Sequence, residues 1–194
     1  MPSVRANRLD QESKMILFLI RSSGNVPVNE THLQKIFFQA MKILGMDPKD
    51  LGFRPHKYGP YSDFVNENKV ELINLGFLKS DSGGLVIDPD AVEDVSTLRL
   101  SEDRAFKLRV MTEYFVAMSN DELLLMIYLD DIDHDGGRYL ENSEVRKRVL
   151  NRRISTAIGM YERGMITLER SSELAGLDIR RFRATLISSG RYRY

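Results

Sequence analysis

The stretch from Met165 to Leu186, MITLERSSELAGLDIRRFRATL, constrains the fold more than any other part of this chain. It reads as a short helix, a tight turn at Gly176 and a second helix, which is the size and punctuation of a helix-turn-helix. Thr167 stands where a hydroxyl can accept from a free amide of the first turn, and Asp178 stands where it can cap the second helix. Leu168, Leu174 and Ala175 can form the inner face of the first helix, and Gly176 falls where a left-handed residue ends it. Phe182 and Leu186 lie four apart and share a buried face. Arg180, Arg181, Arg183 and Thr185 then fall largely on the other faces.

Charge singles out the same region. The chain carries 28 Lys/Arg and 28 Asp/Glu, a net charge of zero. Yet Val145–Tyr194 holds 12 Lys/Arg against 4 Asp/Glu, a balance of +8, and the preceding residues hold 16 against 24, a balance of −8. Such asymmetry fits a basic binding module joined to an acidic body, or two parts that attract each other. Arg146, Lys147, Arg148, Arg152 and Arg153 add a basic stripe, and Tyr192 and Tyr194 interleave with Arg191 and Arg193. Arginine suits phosphates and guanine edges because its fork is planar and bidentate.

Several chemistries are excluded. There is no cysteine, so no disulfide, thiolate zinc site or cysteine nucleophile exists. His32, His56 and His134 are widely separated, and no Walker loop, dinucleotide fingerprint or nucleophile elbow is present. No catalytic residue, metal or cofactor is expected. The opening MPSVRANRLDQESK lacks the apolar core of a signal peptide, and the apolar runs Met15–Ile20 and Leu123–Leu129 are too short to span a membrane. A cytoplasmic location is the expectation.

Along the chain, Asp10 can cap a helix from Gln11 to about Arg21, ended by Ser22–Asn25. Thr31 and Gln34 form a capping-box pattern ahead of Leu33, Ile36, Phe37, Ala40, Met41 and Leu44 at helical spacing. After the proline-bounded loop Phe53–Ser62, a third helix runs to Leu75 with Phe64, Val65, Leu72 and Ile73 apolar. Residues 77–80 and 85–88 flank a glycine turn and predict a hairpin, so the N-terminal layout is that of a winged helix. Its third helix carries Asp63, Glu67 and Glu71 against Lys69, which argues against phosphate binding there. Ser101 opens a long helix with Leu108, Met111, Phe115 and Met118 inward, and Ser119 with Glu122 forms a second capping box. A single helix is expected from Ser143 to about Arg163, lined by Val145, Val149, Leu150, Ile154, Ala157, Ile158 and Tyr161. The expected fold is mainly α: residues 1–140 form a winged-helix-like domain with one β-hairpin and appended helices, and residues 141–194 a basic helix-turn-helix module.

Two constellations bear on chemistry. Asp131–Gly136 matches the first half of a calcium loop, but the eighth position is Arg138 and the twelfth is Asn142, so a solvated acidic turn is expected. His56, Lys57, Tyr58 and Tyr61 sit together in the proline-bounded loop without a carboxylate or nucleophile at a telling spacing, so a structural or partner-binding role is expected.

Leu33–Phe38 (LQKIFF), Lys57–Ser62 (KYGPYS), Leu72–Phe77 (LINLGF) and Ser119–Leu124 (SNDELL) together resemble the Panacea antitoxin-type domain over about residues 10 to 145. Separately, Ile158–Gly190 resembles a small family of prokaryotic antitoxin-like helix-turn-helix proteins, through the step Gly164-Met165-Ile166-Thr167 and the helix Ser171-Ser172-Glu173-Leu174-Ala175-Gly176. The first resemblance implies neutralisation of a toxin by direct protein contact, and the second implies repressor-like DNA binding. The combined expectation is a non-enzymatic DNA-binding transcriptional regulator, dimeric on double-stranded DNA, with the antitoxin of a prokaryotic toxin–antitoxin pair as the role the resemblances imply. Arg180, Arg181, Arg183 and Thr185 would meet the major groove, while Arg153 and Arg170 hold phosphates. The alternative is a non-DNA-binding interaction protein in which the Lys57–Ser62 loop and the acidic body grip and sequester a partner protein, and the basic module only folds back on them.

Overall fold

The helices begin where short polar side chains can satisfy free amides. Asp10 accepts from Ser13 N at 2.6 Å and opens α1 (Gln11–Ser22), while Ser62 accepts from Val65 N at 3.3 Å and opens α3 (Asp63–Asn74). The computed structural model describes residues 5–24, 26–81, 83–130 and 143–191. Asp131–Asn142, with the acidic loop and His134, and Tyr192–Tyr194 lie outside the described residues. Helix makes up 66 % of the described residues, which contain one two-stranded antiparallel hairpin. The protein is therefore mainly α with a β-hairpin, as the periodicity predicts. Among the described residues no helix is long and apolar enough to cross a membrane.

Contacts divide the chain into two units, one of Met1–Pro55 with Pro60–Ala117, the other of His56–Gly59 with Met118–Tyr194. In the first, α1, α2 (Glu30–Ile43) and α3 are followed by β1 (Leu78–Asp81) and β2 (Gly84–Ile87), paired from Leu78↔Ile87 to Asp81↔Gly84. Val28, between α1 and α2, bridges to Leu85 and extends the hairpin's edge, which completes the winged-helix layout. Gly84 permits this approach: its φ is +142°, and a Cβ there would lie 2.6 Å from the Val28 carbonyl carbon. α4 (Val92–Ser96), which the sequence pattern does not announce, and α5 (Glu102–Val116) follow.

α1 is the centre of this unit, touching α2, α3, α4, α5 and β2, and α2 packs against α1 and α5. The expected apolar face of α2 is buried at Leu33, Ile36, Phe37, Ala40 and Met41, but His32, Gln34, Lys35 and Phe38 are buried as well. The capping box expected at Thr31 and Gln34 does not form. Asn29 is the cap, accepting from His32 N at 3.0 Å, because its backbone is extended directly after Val28. Gln34 instead turns inward, where Nε2 donates to Ser62 O at 3.0 Å and Oε1 accepts from Ser62 N at 2.9 Å. One residue on, Lys35 Nζ donates to Pro60 O at 2.8 Å. Two consecutive buried side chains thus hold the Pro60–Ser62 backbone, whose polar groups would otherwise be stranded away from water.

The second unit is built around α6 (Asn120–Asp130), where the predicted Ser119–Glu122 capping box forms: Ser119 N donates to Glu122 Oε2 at 2.8 Å and Glu122 N to Ser119 Oγ at 3.4 Å. Glu122–Tyr128 is buried without a break, so α6 has no solvent face along that run. α7 (Glu144–Asn151), α8 (Arg153–Glu162) and α9 (Leu168–Ala175) pack on it, and α10 (Ile179–Ser188) packs on α9. The single helix expected from Ser143 to Arg163 is two, interrupted at Arg152 (φ −100°, ψ 2°). The break re-aims α8, so that Ala157, Ile158 and Met160 are buried while Ile154 stays 40 % exposed. The contact units meet at 117/118, whereas the charge pattern places the seam at 140/141. Asp121, Glu122 and Asp130, counted with the acidic body, are the counter-ions of Arg148, Arg163 and Arg170 within this unit.

Lys35 is 1 % exposed, and burial lowers its pKa from 10.5 to about 7. Above about pH 7 the folded chain has released a proton that the unfolded chain keeps until about 10.5, so the unfolded state binds more protons and stability rises with pH across that window. Urea denaturation of the parent and Lys35→Met should differ in slope by up to about 1.4 kcal/mol per pH unit between about pH 7 and pH 9, the parent gaining more. Parallel profiles would contradict the buried amine.

Candidate nucleic-acid interface

The geometry of α9 and α10 follows from the residues that punctuate them. Thr167 Oγ1 accepts from Arg170 N at 3.2 Å and starts α9. Gly176 stops it in the left-handed conformation (φ +66°), its N–H donating to Glu173 O at 2.9 Å while Leu177 N donates to Ser172 O at 3.0 Å. Asp178 then accepts from Arg181 N at 2.9 Å and starts α10. Phe182 and Leu186 are fully buried, and Phe182 meets Tyr161 of α8 edge-on with ring centroids 6.5 Å apart. With those two anchored, the opposite face of α10 is exposed at Arg180, Arg181, Arg183, Ala184, Ile187 and Ser188. This is a helix-turn-helix with its second helix free along one side.

The sequence-predicted basic residues fall into two groups. Arg180, Arg181 and Arg183 come together on the exposed part of α10. Arg180 makes no ion pair among the described residues. Arg181 reaches Asp178 at 3.3 Å with its own side chain 79 % exposed, a pair that water screens heavily. Arg153 and Arg170 have partners inside the unit. Arg153 Nε donates to Ala175 O at 2.7 Å and lies over Gly176, closing the turn. Arg170 donates to Asp130 and to Glu173, the latter at 2.9 Å. Burial works to lower its pKa, but the hydrogen bonds to these two carboxylates outweigh it and hold the pKa above the ordinary arginine value. Arg148 pairs with Asp121 at 2.7 Å, Arg163 with Glu122 at 2.5 Å and Arg191 with Glu162 at 3.5 Å. Of the basic stripe, Lys147 pairs with Glu144 at 2.9 Å and Arg148 with Asp121, while Arg153 holds the Ala175 carbonyl. Thr185 is half-buried, and its hydroxyl donates to Arg181 O at 2.9 Å.

Comparison with protein-family models, with curated proteins and with solved structures finds no match to this chain.

The loop residues expected to bind a partner are divided between the units. His56, Lys57 and Tyr58 belong to the second, where Lys57 O accepts from Tyr128 Oη at 2.9 Å and from Ser143 Oγ at 3.2 Å. Burial pushes the Tyr128 hydroxyl up to about 12, against the opposing pull of Arg146 and Arg148. Lys57 Nζ lies 5.1 Å from the Tyr58 ring centroid. Tyr61 belongs to the first unit, where its backbone pairs with that of Arg54 in both directions at 3.0 Å. These contacts make the loop a tied structural segment. On α3, Asp63, Glu67 and Glu71 are exposed, with Asp63 paired to Arg54 at 2.7 Å.

Ala184 and Ile187 also stand on the exposed face of α10 and carry no charge to mark them in the sequence. Their spacing of four and seven residues from Arg180 places them on its side of α10, and that signal was available.

A Cβ on Gly176 would fall 0.9 Å from Arg153 Nη2. Gly176→Ala therefore has to take a left-handed backbone, at roughly 1–2 kcal/mol, and displace the guanidinium from Ala175 O, at about 1 kcal/mol more. In an Arg153→Ala background only the backbone strain remains, so a double-mutant cycle by thermal or urea unfolding should give a coupling of about 1 kcal/mol. Strictly additive losses would mean that Arg153 does not close the turn.

Proposed function

We propose that this chain is a cytoplasmic, non-enzymatic DNA-binding regulator whose α10 enters the major groove. The observation that carries the reading is the phase of α10: Phe182 and Leu186 are buried, and Arg180, Arg181 and Arg183 stand on its exposed part. Arg180 and Arg181, in the first turn of α10, are positioned as base-edge or phosphate donors, because guanidinium forks match guanine O6/N7 and phosphate oxygens. Arg153 and Arg170 act as positioning residues rather than phosphate contacts, since each already donates to a partner inside the unit. The acidic surface of α3 argues for α10 as the reading helix. Readers of this shape work as two-fold pairs on half-sites one helical turn apart, so the active species is a dimer. The resemblance of Ile158–Gly190 to repressor-like helix-turn-helix proteins points the same way.

The test is binding of the full chain to duplex DNA from upstream of its own gene, measured by fluorescence anisotropy over a range of salt. The parent should bind with a steep salt dependence, since each phosphate neutralised contributes a slope of about −0.9 in log K against log salt. Arg180→Ala/Arg181→Ala should weaken binding at least about tenfold at moderate salt and flatten the slope by roughly one to two. Equal affinity and slope for parent and variant would contradict α10 as the reading helix.

A further inference from the structure

We propose that Ile187, with Ala184 beside it, reads the methyl groups of thymines, so that α10 selects A·T pairs next to the bases or phosphates held by Arg180. The inference rests on the DNA-binding reading above and gives that surface a base preference.

Three observations carry it. Ile187 is the most exposed large apolar side chain among the described residues, at 58 %. A lone surface isoleucine is unremarkable, but this one is not placed at random. It lies seven residues after Arg180 and three after the exposed Ala184, on the side of α10 away from Phe182 and Leu186. Second, the hydroxyls at this end of α10 have their protons committed to its own backbone. Thr185 Oγ1 donates to Arg181 O at 2.9 Å, Ser188 Oγ to Thr185 O at 3.0 Å and Ser189 Oγ to Leu186 O at 3.0 Å. Third, Ala184 is small, so nothing at the middle of the face holds the helix off a base edge. Those hydroxyls keep only acceptor lone pairs for a base, and apart from them and its arginines the surface offers aliphatic carbon where a groove-reading helix ordinarily offers hydrogen bonds. The one apolar group on the floor of the major groove is the C5-methyl of thymine.

The experiment selects duplexes from a randomised pool with the full chain. It then replaces thymidines of the retained duplex one at a time by deoxyuridine, which differs only in lacking that methyl. Anisotropy titrations of the parent should show about a fourfold loss at one or two positions, the worth of one buried carbon. Ile187→Ala should bind thymidine and deoxyuridine duplexes equally at those positions, while its thermal unfolding matches the parent because the side chain is exposed. A retained duplex that tolerates deoxyuridine everywhere overturns the proposal and leaves the DNA reading standing. So does discrimination that survives in Ile187→Ala. Ile187→Ala that lowers the mass in sedimentation without changing discrimination also overturns it, by making the residue a contact between copies. A pool from which no duplex is retained overturns the DNA reading, and this inference with it.

Discussion

The left-handed turn at Gly176, closed by Arg153, is the constraint on which the candidate interface depends. It fixes the angle at which α10 leaves α9, and with Asp178 as cap it fixes the residue at which α10 begins. Once the start is fixed, the period of the helix decides which side chains go inward. Phe182 and Leu186 bury against α8 and α9, and each such side chain contributes roughly 1.5–3 kcal/mol by leaving water. The exposed arginines are exposed because those two are not. Arg153 takes part through Nε, which donates to Ala175 O.

The charge asymmetry of the sequence takes on two meanings in the folded chain. Part of it is satisfied internally, where α6 supplies Asp121, Glu122 and Asp130 to Arg148, Arg163 and Arg170. α6 itself is apolar from Leu123 to Leu129, and its carboxylates sit at its two ends. The partly exposed pairs contribute little each to stability, but they set how the basic helices surround α6. What remains outward at α10 is a smaller positive surface than the sequence count implies. In the first unit the comparable device is uncharged at high pH: Gln34 and Lys35 clasp the Pro60–Ser62 backbone from a helix that has almost no solvent face.

Local features of the fold were legible in the sequence, and remote ones were not. Asp10, Ser119 with Glu122, Thr167 and Asp178 cap as predicted, because a cap bonds an amide three residues away. The hairpin follows from two short apolar runs about a glycine turn, and the mainly helical class from a period of 3.6 residues. Gln34 was misread as half of a capping box, since its true partner, Ser62, lies 28 residues on. Arg170 read as a free charge because nothing nearby in sequence announces Asp130, 40 residues earlier. The interruption at Arg152 carries no proline or glycine, so the apolar pattern of residues 143–163 ran straight through it. The candidate face was half legible: its arginines stand out by charge, while Ala184 and Ile187 are visible only once the phase of α10 is known.

The account's central claim is that the exposed side of α10 is what meets DNA. The most direct measurement is an amide chemical-shift titration of the isotope-labelled full chain with a retained duplex. The account predicts that the shifts concentrate at 178–188, with smaller ones through α9, and that the α3 amides of Asp63–Asn74 stay in place. Shifts centred on α3 or on the 56–61 loop, with α10 unmoved, would contradict it.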